Sequence, residues 1–137
     1  MSDFLLDTCA VIWTAHGDPL REPAATRLQD AYRDGRRLFV SPITAWEIGM
    51  LVAKGKIALA LDPDPWFERF CELPSVALAA MPTSVLVAST GLPGTPPPDP
   101  ADRIIIATAR AFGYVLATRD AKILDYGAQG HVRVVEC

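Results

Sequence analysis

Five short runs of apolar, β-favouring residues punctuate the chain, and the stretches between them are patterned for helices. The runs are Phe4-Leu5-Leu6, Leu38-Phe39-Val40, Val76-Ala77-Leu78-Ala79, Val115-Leu116-Ala117 and Val132-Arg133-Val134-Val135. The helical stretches fall at about 9–15, 20–34, 42–54, 63–73, 82–89, 100–112 and 119–125. No other feature limits the fold as strongly. Strands that alternate with helices pair in parallel, because each crossover returns the chain to the same edge of the sheet. The runs lack polar alternation, as strands do when both faces are covered. The expectation is an α/β protein: a three-layer α/β/α sandwich with a short, mainly parallel sheet of four to five strands. At 137 residues the chain has the length of one domain, taken as 1–137. The Gly91-Leu92-Pro93-Gly94-Thr95-Pro96-Pro97-Pro98 stretch cannot be helix or central strand and reads as an exposed connection within that domain.

Composition removes several classes of function. No apolar run is long enough to span a membrane. Met1-Ser2-Asp3-Phe4 carries an acid where a secretory leader would carry Lys or Arg. Cys9, Cys71 and Cys137 are odd in number and far apart, which fits free thiols in a reducing cytoplasm. With only His16 and His131, the chain has no material for a His-rich zinc site and little for a Ser/His/Asp triad. A metal site here must be built from oxygen, which favours Mg²⁺ or Mn²⁺. The net charge of −3 argues against nucleic-acid binding by bulk charge. It does not exclude a nucleic-acid enzyme whose acids are gathered around metal ions.

The acids carry the chemical signal. Asp7 directly follows the first run, at the carboxyl end of a parallel strand, where open α/β folds place their ligands. Its alternative role is to cap the next helix. Ser41-Pro42 opens a helix, and Glu47 within it has Ile43, Thr44, Met50 and Leu51 as neighbours at helical spacing. A carboxylate on so apolar a face needs a metal, a cation or a proton. In Asp99-Pro100-Ala101-Asp102, Asp99 reads as an N-cap, while Asp102 shares a core-facing side with Ile105, Ile106 and Ala109. Asp120 again lies just past a strand, with Thr118 as a possible cap. Each acid has a structural explanation taken singly. Together they repeat one pattern, a strand followed by an acid, and parallel strands bring those ends to one edge. Converging carboxylates do not all stay ionised without cations. Divalent metal on oxygen ligands suits phosphodiester hydrolysis, because the ion polarises the phosphate and lowers the pKa of bound water.

Four segments also resemble the motifs of PIN-domain nucleases. They are Phe4-Leu5-Leu6-Asp7-Thr8, Ser41-Pro42-Ile43-Thr44-Ala45-Trp46-Glu47-Ile48, the segment from Asp99 through Arg103 to Ala109, and Leu116-Ala117-Thr118-Arg119-Asp120. Their order, spacing and total length are similar to the VapC-type toxins of bacterial toxin–antitoxin pairs. The resemblance implies a Mg²⁺- or Mn²⁺-dependent endoribonuclease acting on single-stranded or looped RNA. It implies Asp7, Glu47, Asp102 and Asp120 as catalytic metal ligands, with Asp99 and Thr118 as accessory groups. It also implies a cytoplasmic homodimer held inactive by a cognate antitoxin, with operator DNA bound only through that complex. Many relatives carry a His where this chain has Pro97, two residues before the Asp-Pro pair.

Other residues offer weaker signals. Arg103 and Arg119 adjoin the acids, and Arg103 is placed to neutralise Asp99 and Asp102. Arg33, Arg36 and Arg37 form a basic run that reads as a solvated turn or a phosphate contact. Trp13, Trp46 and Trp66 can stack bases or fill the core. Cys9 and His16 read as structural. An aspartyl-phosphate phosphatase needs a second acid two residues after Asp7, where Cys9 stands. The remaining rivals are a catalytically idle PIN-fold interaction subunit and a metal-dependent nuclease acting on DNA.

Overall fold

The computed structural model describes residues 3–137, so Met1 and Ser2 of the leader argument lie outside the described residues. Five strands, β1 (Phe4–Leu6), β2 (Leu38–Val40), β3 (Val76–Leu78), β4 (Val115–Thr118) and β5 (Val134–Glu136), form one sheet in the order β3-β2-β1-β4-β5. Every pairing is parallel, with Leu5 opposite Phe39 on one side and Leu116 on the other. The helices are α1 (Thr8–Ala15), α2 (Ala24–Arg33), α3 (Pro42–Ala53), α4 (Pro63–Cys71), α5 (Thr83–Thr90), α6 (Pro100–Phe112) and α7 (Ala121–Ala128). The α/β/α expectation holds, and the sheet has five strands with all pairs parallel.

Strand side chains alternate between two cores, as a period of two requires. Phe4, Leu6, Val40, Val115 and Ala117 pack with Val11, Leu28, Ile48 and Phe70 from α1 to α4. Leu5 and Leu116 face the other way, onto Ile105, Ile106, Ile123 and Tyr126 of α6 and α7. Leu5, Leu6 and Leu116 are fully buried, which explains runs with no polar break.

Among the element starts that differ from the sequence expectation are those of α2 and of the last strand. The stretch expected to be helical from residue 20 becomes α2 only at Ala24, after Pro23. Proline lacks the amide and restricts the residue before it, so the helix begins beyond it. The last strand starts at Val134 rather than Val132, where its ladder with Leu116 begins. The Gly91–Pro98 connection is largely exposed, but Pro97 is buried. Tyr126 donates its hydroxyl to the Pro93 carbonyl and Arg103 Nε donates to the Pro97 carbonyl at 2.7 Å. No helix among the described residues is long and apolar enough to cross a membrane.

Candidate active site

The chain leaves β1 toward β2 and β3 on one side, and β4 and β5 lie on the other. The crevice at the β1–β4 switch point is where open parallel sheets hold ligands. Asp7 leaves β1 directly into this crevice and caps α1, its Oδ1 accepting from the Ala10 amide at 2.8 Å. Thr118, the last residue of β4, donates its hydroxyl to Asp7 Oδ2 and accepts the Asp120 amide at 3.0 Å. Asp120 then caps α7, taking the Lys122 and Ile123 amides on Oδ1 at 2.9 and 3.1 Å. So Thr118 is not itself the cap of α7; it links the acid that is to the acid after β1.

The other acids arrive on helices. Ser41 ends β2, caps α3 through the Ile43 amide at 3.1 Å, and so sets Glu47 in the second turn. Glu47 Oε1 accepts from the Thr8 hydroxyl, which lies 3.1 Å from the buried Thr44 hydroxyl. Helix α6 runs into β4 through Gly113 and Tyr114 alone, so its first turn lies at the far, carboxyl end of that strand. There Asp99 caps α6 through the Asp102 amide at 3.0 Å, and Asp102 follows in the first turn.

These placements bring carboxylates from four parts of the chain together. Glu47, Asp99 and Asp102 each offer a ligand atom within 4.8 Å of the other two. Asp7 and Asp120 lie outside that trio, yet both are near enough to act on Asp102. Burial first, then Asp99, Asp120, Glu47 and Asp7, push the Asp102 pKa up from 3.8 to about 7. Burial also raises Asp7, which is 4% exposed, against the lowering effect of its Thr118 and Ala10 hydrogen bonds. Burial raises Glu47 too, opposed by the Thr8 hydroxyl and reinforced by Asp99 and Asp7. The geometry fits a cation: three hard oxygen donors from separate carboxylates gather with no His or Cys among them, and each added proton or ion relieves their repulsion.

The arginines beside the acids behave differently from the neutralising role expected of Arg103. Among the described residues no ion pair joins Arg103 to an acid; its Nε is committed to the Pro97 carbonyl, and so it braces the loop leading into Asp99. Arg119 lies 3.8 Å over the Trp13 ring and donates to the Cys137 main-chain oxygen at 2.7 Å, while still lowering the Asp7 pKa. Trp13 is thereby covered, Trp66 stacks on Phe70 at 6.0 Å, and Trp46 is 55% exposed beside Glu47. Cys9 lies at the surface beside the acids, where partial desolvation, then the carboxylates Asp7, Glu47, Asp120 and Asp102, push its thiol up to about 11. Two site residues escaped sequence reasoning. Thr8 and Thr44 show only as polar residues in apolar segments, and the two partners of Thr8, which are Thr44 and Glu47, lie 36 and 39 residues away from it.

The sequence matches the PIN domain family over residues 4–129. It is 32% identical over 127 residues to Ribonuclease VapC22 of Mycobacterium tuberculosis, covering 92% of this chain and 93% of that protein. In fold it is similar to a VapBC2 structure from Rickettsia felis bound to a promoter DNA fragment (TM-score 0.68, 13% identity, 98% of each chain). A DNA-bound VapBC from Salmonella typhimurium is also similar (TM-score 0.61, 24% identity, 99% of this chain and 98% of that one). With the motif acids gathered at one edge of a five-stranded parallel sheet and a match spanning nearly the whole sequence, the chain belongs to the PIN domain family.

Proposed function

We propose that the chain is a divalent-metal-dependent endoribonuclease of the VapC type, a single domain that acts in the cytoplasm and is restrained by a cognate antitoxin. The observation that carries this reading is the gathering of Glu47, Asp99 and Asp102, with Asp7 and Asp120 close enough to act on Asp102. The relative named a ribonuclease supports the activity, and the similar VapBC complexes support a protein partner that carries the toxin to operator DNA. Glu47, Asp99 and Asp102 would hold Mg²⁺ or Mn²⁺, with Asp7 and Asp120 completing the acidic wall. When bound, such an ion supplies charge neutralisation and Lewis acidity toward a phosphodiester.

The protein's own groups do the positioning. Thr8 fixes one oxygen of Glu47, and Thr118 fixes one oxygen of Asp7. Each carboxylate oxygen has a second lone pair, so these bonds orient the acids without consuming them. The bracing of the proline-rich loop by Arg103 and Tyr126 holds Asp99 in place. The proposed assembly is a homodimer, and Trp46, Leu78 and Val87 are exposed apolar side chains that a second copy could cover.

The decisive substrate comparison uses one mixed sequence made as single-stranded RNA and as DNA. Metal-dependent cleavage of the RNA at internal bonds, with the DNA intact, is the expected result. Cleavage of the DNA alone would assign the site to DNA, and cleavage of neither would leave the fold an interaction subunit.

A further inference from the structure

At the edge of the sheet opposite the acids, where β1 and β4 begin, lies an open groove of about 1180 Å³. Its walls come from α2, the turn between α6 and β4, and the connection from α7 to β5. Four guanidinium groups, from Arg27, Arg36, Arg110 and Arg133, line it against the carboxylates of Asp30 and Asp34. Asp30 already faces Arg33 at 3.9 Å, so positive charge dominates the groove. The four arginines all have partners in the fold. Arg27 sits 5.3 Å from the centre of the Phe4 ring, Arg110 donates to the His131 carbonyl and Arg133 donates to the Gly113 carbonyl. Anchoring fixes the direction of a group that carries five donors, which lowers the entropy lost on binding an anion.

The placement of charge argues for the occupant. The chain as a whole carries −3, and its acids crowd the opposite edge. A polyanion approaching that edge meets like charge until metal neutralises it, so a second, basic surface adds attraction. The groove is that surface, and Tyr114, stacked on Phe39 at 4.6 Å, adds an aromatic wall to it. Guanidinium groups beside an aromatic ring suit the backbone and bases of single-stranded nucleic acid. The basic run before β2 thus contributes Arg36 to a built surface rather than to a solvated turn alone.

We propose that this groove is an accessory binding site for RNA, engaging substrate phosphates outside the segment that is cut. The proposal rests on the ribonuclease reading. It requires that RNA long enough to reach both edges of the sheet bind more tightly than RNA that reaches one.

The test is fluorescence anisotropy in EDTA, so that binding is read without cleavage, on labelled single-stranded RNAs of about 6 and about 30 nucleotides, within and well above the span of one strand-binding groove. Wild type is compared with the Arg27→Gln/Arg36→Gln and Arg27→Lys/Arg36→Lys double variants. The glutamine pair is expected to reduce the affinity advantage of the long RNA about tenfold. Its salt slope should fall by about 1.4, the value for two lost single-strand phosphate contacts. The lysine pair should keep most of that slope. If the glutamine pair melts below wild type, Arg36→Gln alone decides, with about half the loss of slope. Wild-type affinity and slope in a folded glutamine variant would overturn the proposal and give the groove to a protein partner. A wild type that binds both lengths equally would also overturn it. RNA cleavage by wild type in Mg²⁺ judges the parent reading separately.

Discussion

Thr118 joins two acids through one hydroxyl, donating to Asp7 and accepting from the Asp120 amide. Thr118→Val keeps the shape and removes both bonds, leaving a nearly fully buried carboxylate short of a partner. It should cost about 1–3 kcal/mol in urea unfolding in EDTA, and a loss well below that range would mean the link carries no load. The acids also set a pH dependence. Asp102 is raised from 3.8 to about 7, and Asp7 and Glu47 are raised as well. A carboxyl group raised on folding stabilises the protein below its unfolded pKa, and that contribution is lost as pH rises through its folded value. Metal-free protein should therefore lose melting temperature as pH climbs from about 4 to about 7 and level off above that, and Asp102→Asn should flatten that fall. A melting temperature in EDTA that rises over the same interval, with the variant matching wild type, would contradict the cluster. The acids were legible in the sequence because each follows a strand or sits on an apolar helix face. Asp99 was legible as a cap but not as a member of the closest trio, because that depends on how α3 meets α6. Arg103 misled for the same reason: proximity in sequence to two acids did not predict that a carbonyl would take its Nε.

Helix boundaries were readable wherever a cap and a proline coincide. Ser41-Pro42 and Asp99-Pro100 start α3 and α6 at the expected residues. The end of α7 was less readable, since Gly127 usually weakens a helix and the chain nevertheless stays helical to Ala128. Gly127 is there for packing. A Cβ at this position would stand 2.5 and 2.9 Å from the two Val134 methyl groups and 3.2 Å from the Val132 carbonyl. On an exposed helix Gly→Ala stabilises by roughly 0.5–1 kcal/mol. Here Gly127→Ala should destabilise by about 1–3 kcal/mol, through overpacking of α7 against β5. Chemical denaturation gives the sign directly, and a stabilised variant would show that the contact yields easily. Gly94 is a second such position, with φ +67° and a Cβ that would lie 2.6 Å from His131 Nε2. There the proline-rich loop passes close to the α7–β5 connection, and hydrogen bonds from Arg103 and Tyr126 brace the loop that introduces Asp99.

At the scale of the whole molecule, the motif carboxylates gather at the carboxyl ends of the strands, while Arg27, Arg36, Arg110 and Arg133, with Asp30 and Asp34, line the groove at the amino ends. The sequence showed the parallel α/β architecture because buried strands and amphipathic helices leave different periodicities. It showed the acidic edge because parallel strands end together. The arginine groove was not legible, since Arg27, Arg36, Arg110 and Arg133 are scattered along the chain and meet only through the fold. Folding an acidic edge without cations is costly, so binding a divalent ion to the native state should stabilise it. About 10 mM Mg²⁺ at pH 8 should raise the melting temperature by several degrees, and less in Asp102→Asn, if that concentration is well above Kd. An equal shift in both proteins would place the ion elsewhere. The most direct test of the account is cleavage of total cellular RNA by the purified, antitoxin-free chain in Mg²⁺, in Mn²⁺ and in EDTA, alongside Glu47→Gln and Asp102→Asn. The account predicts discrete fragments that require metal and disappear in both variants, each still folded. Fragments that persist in EDTA or in the folded variants would contradict it.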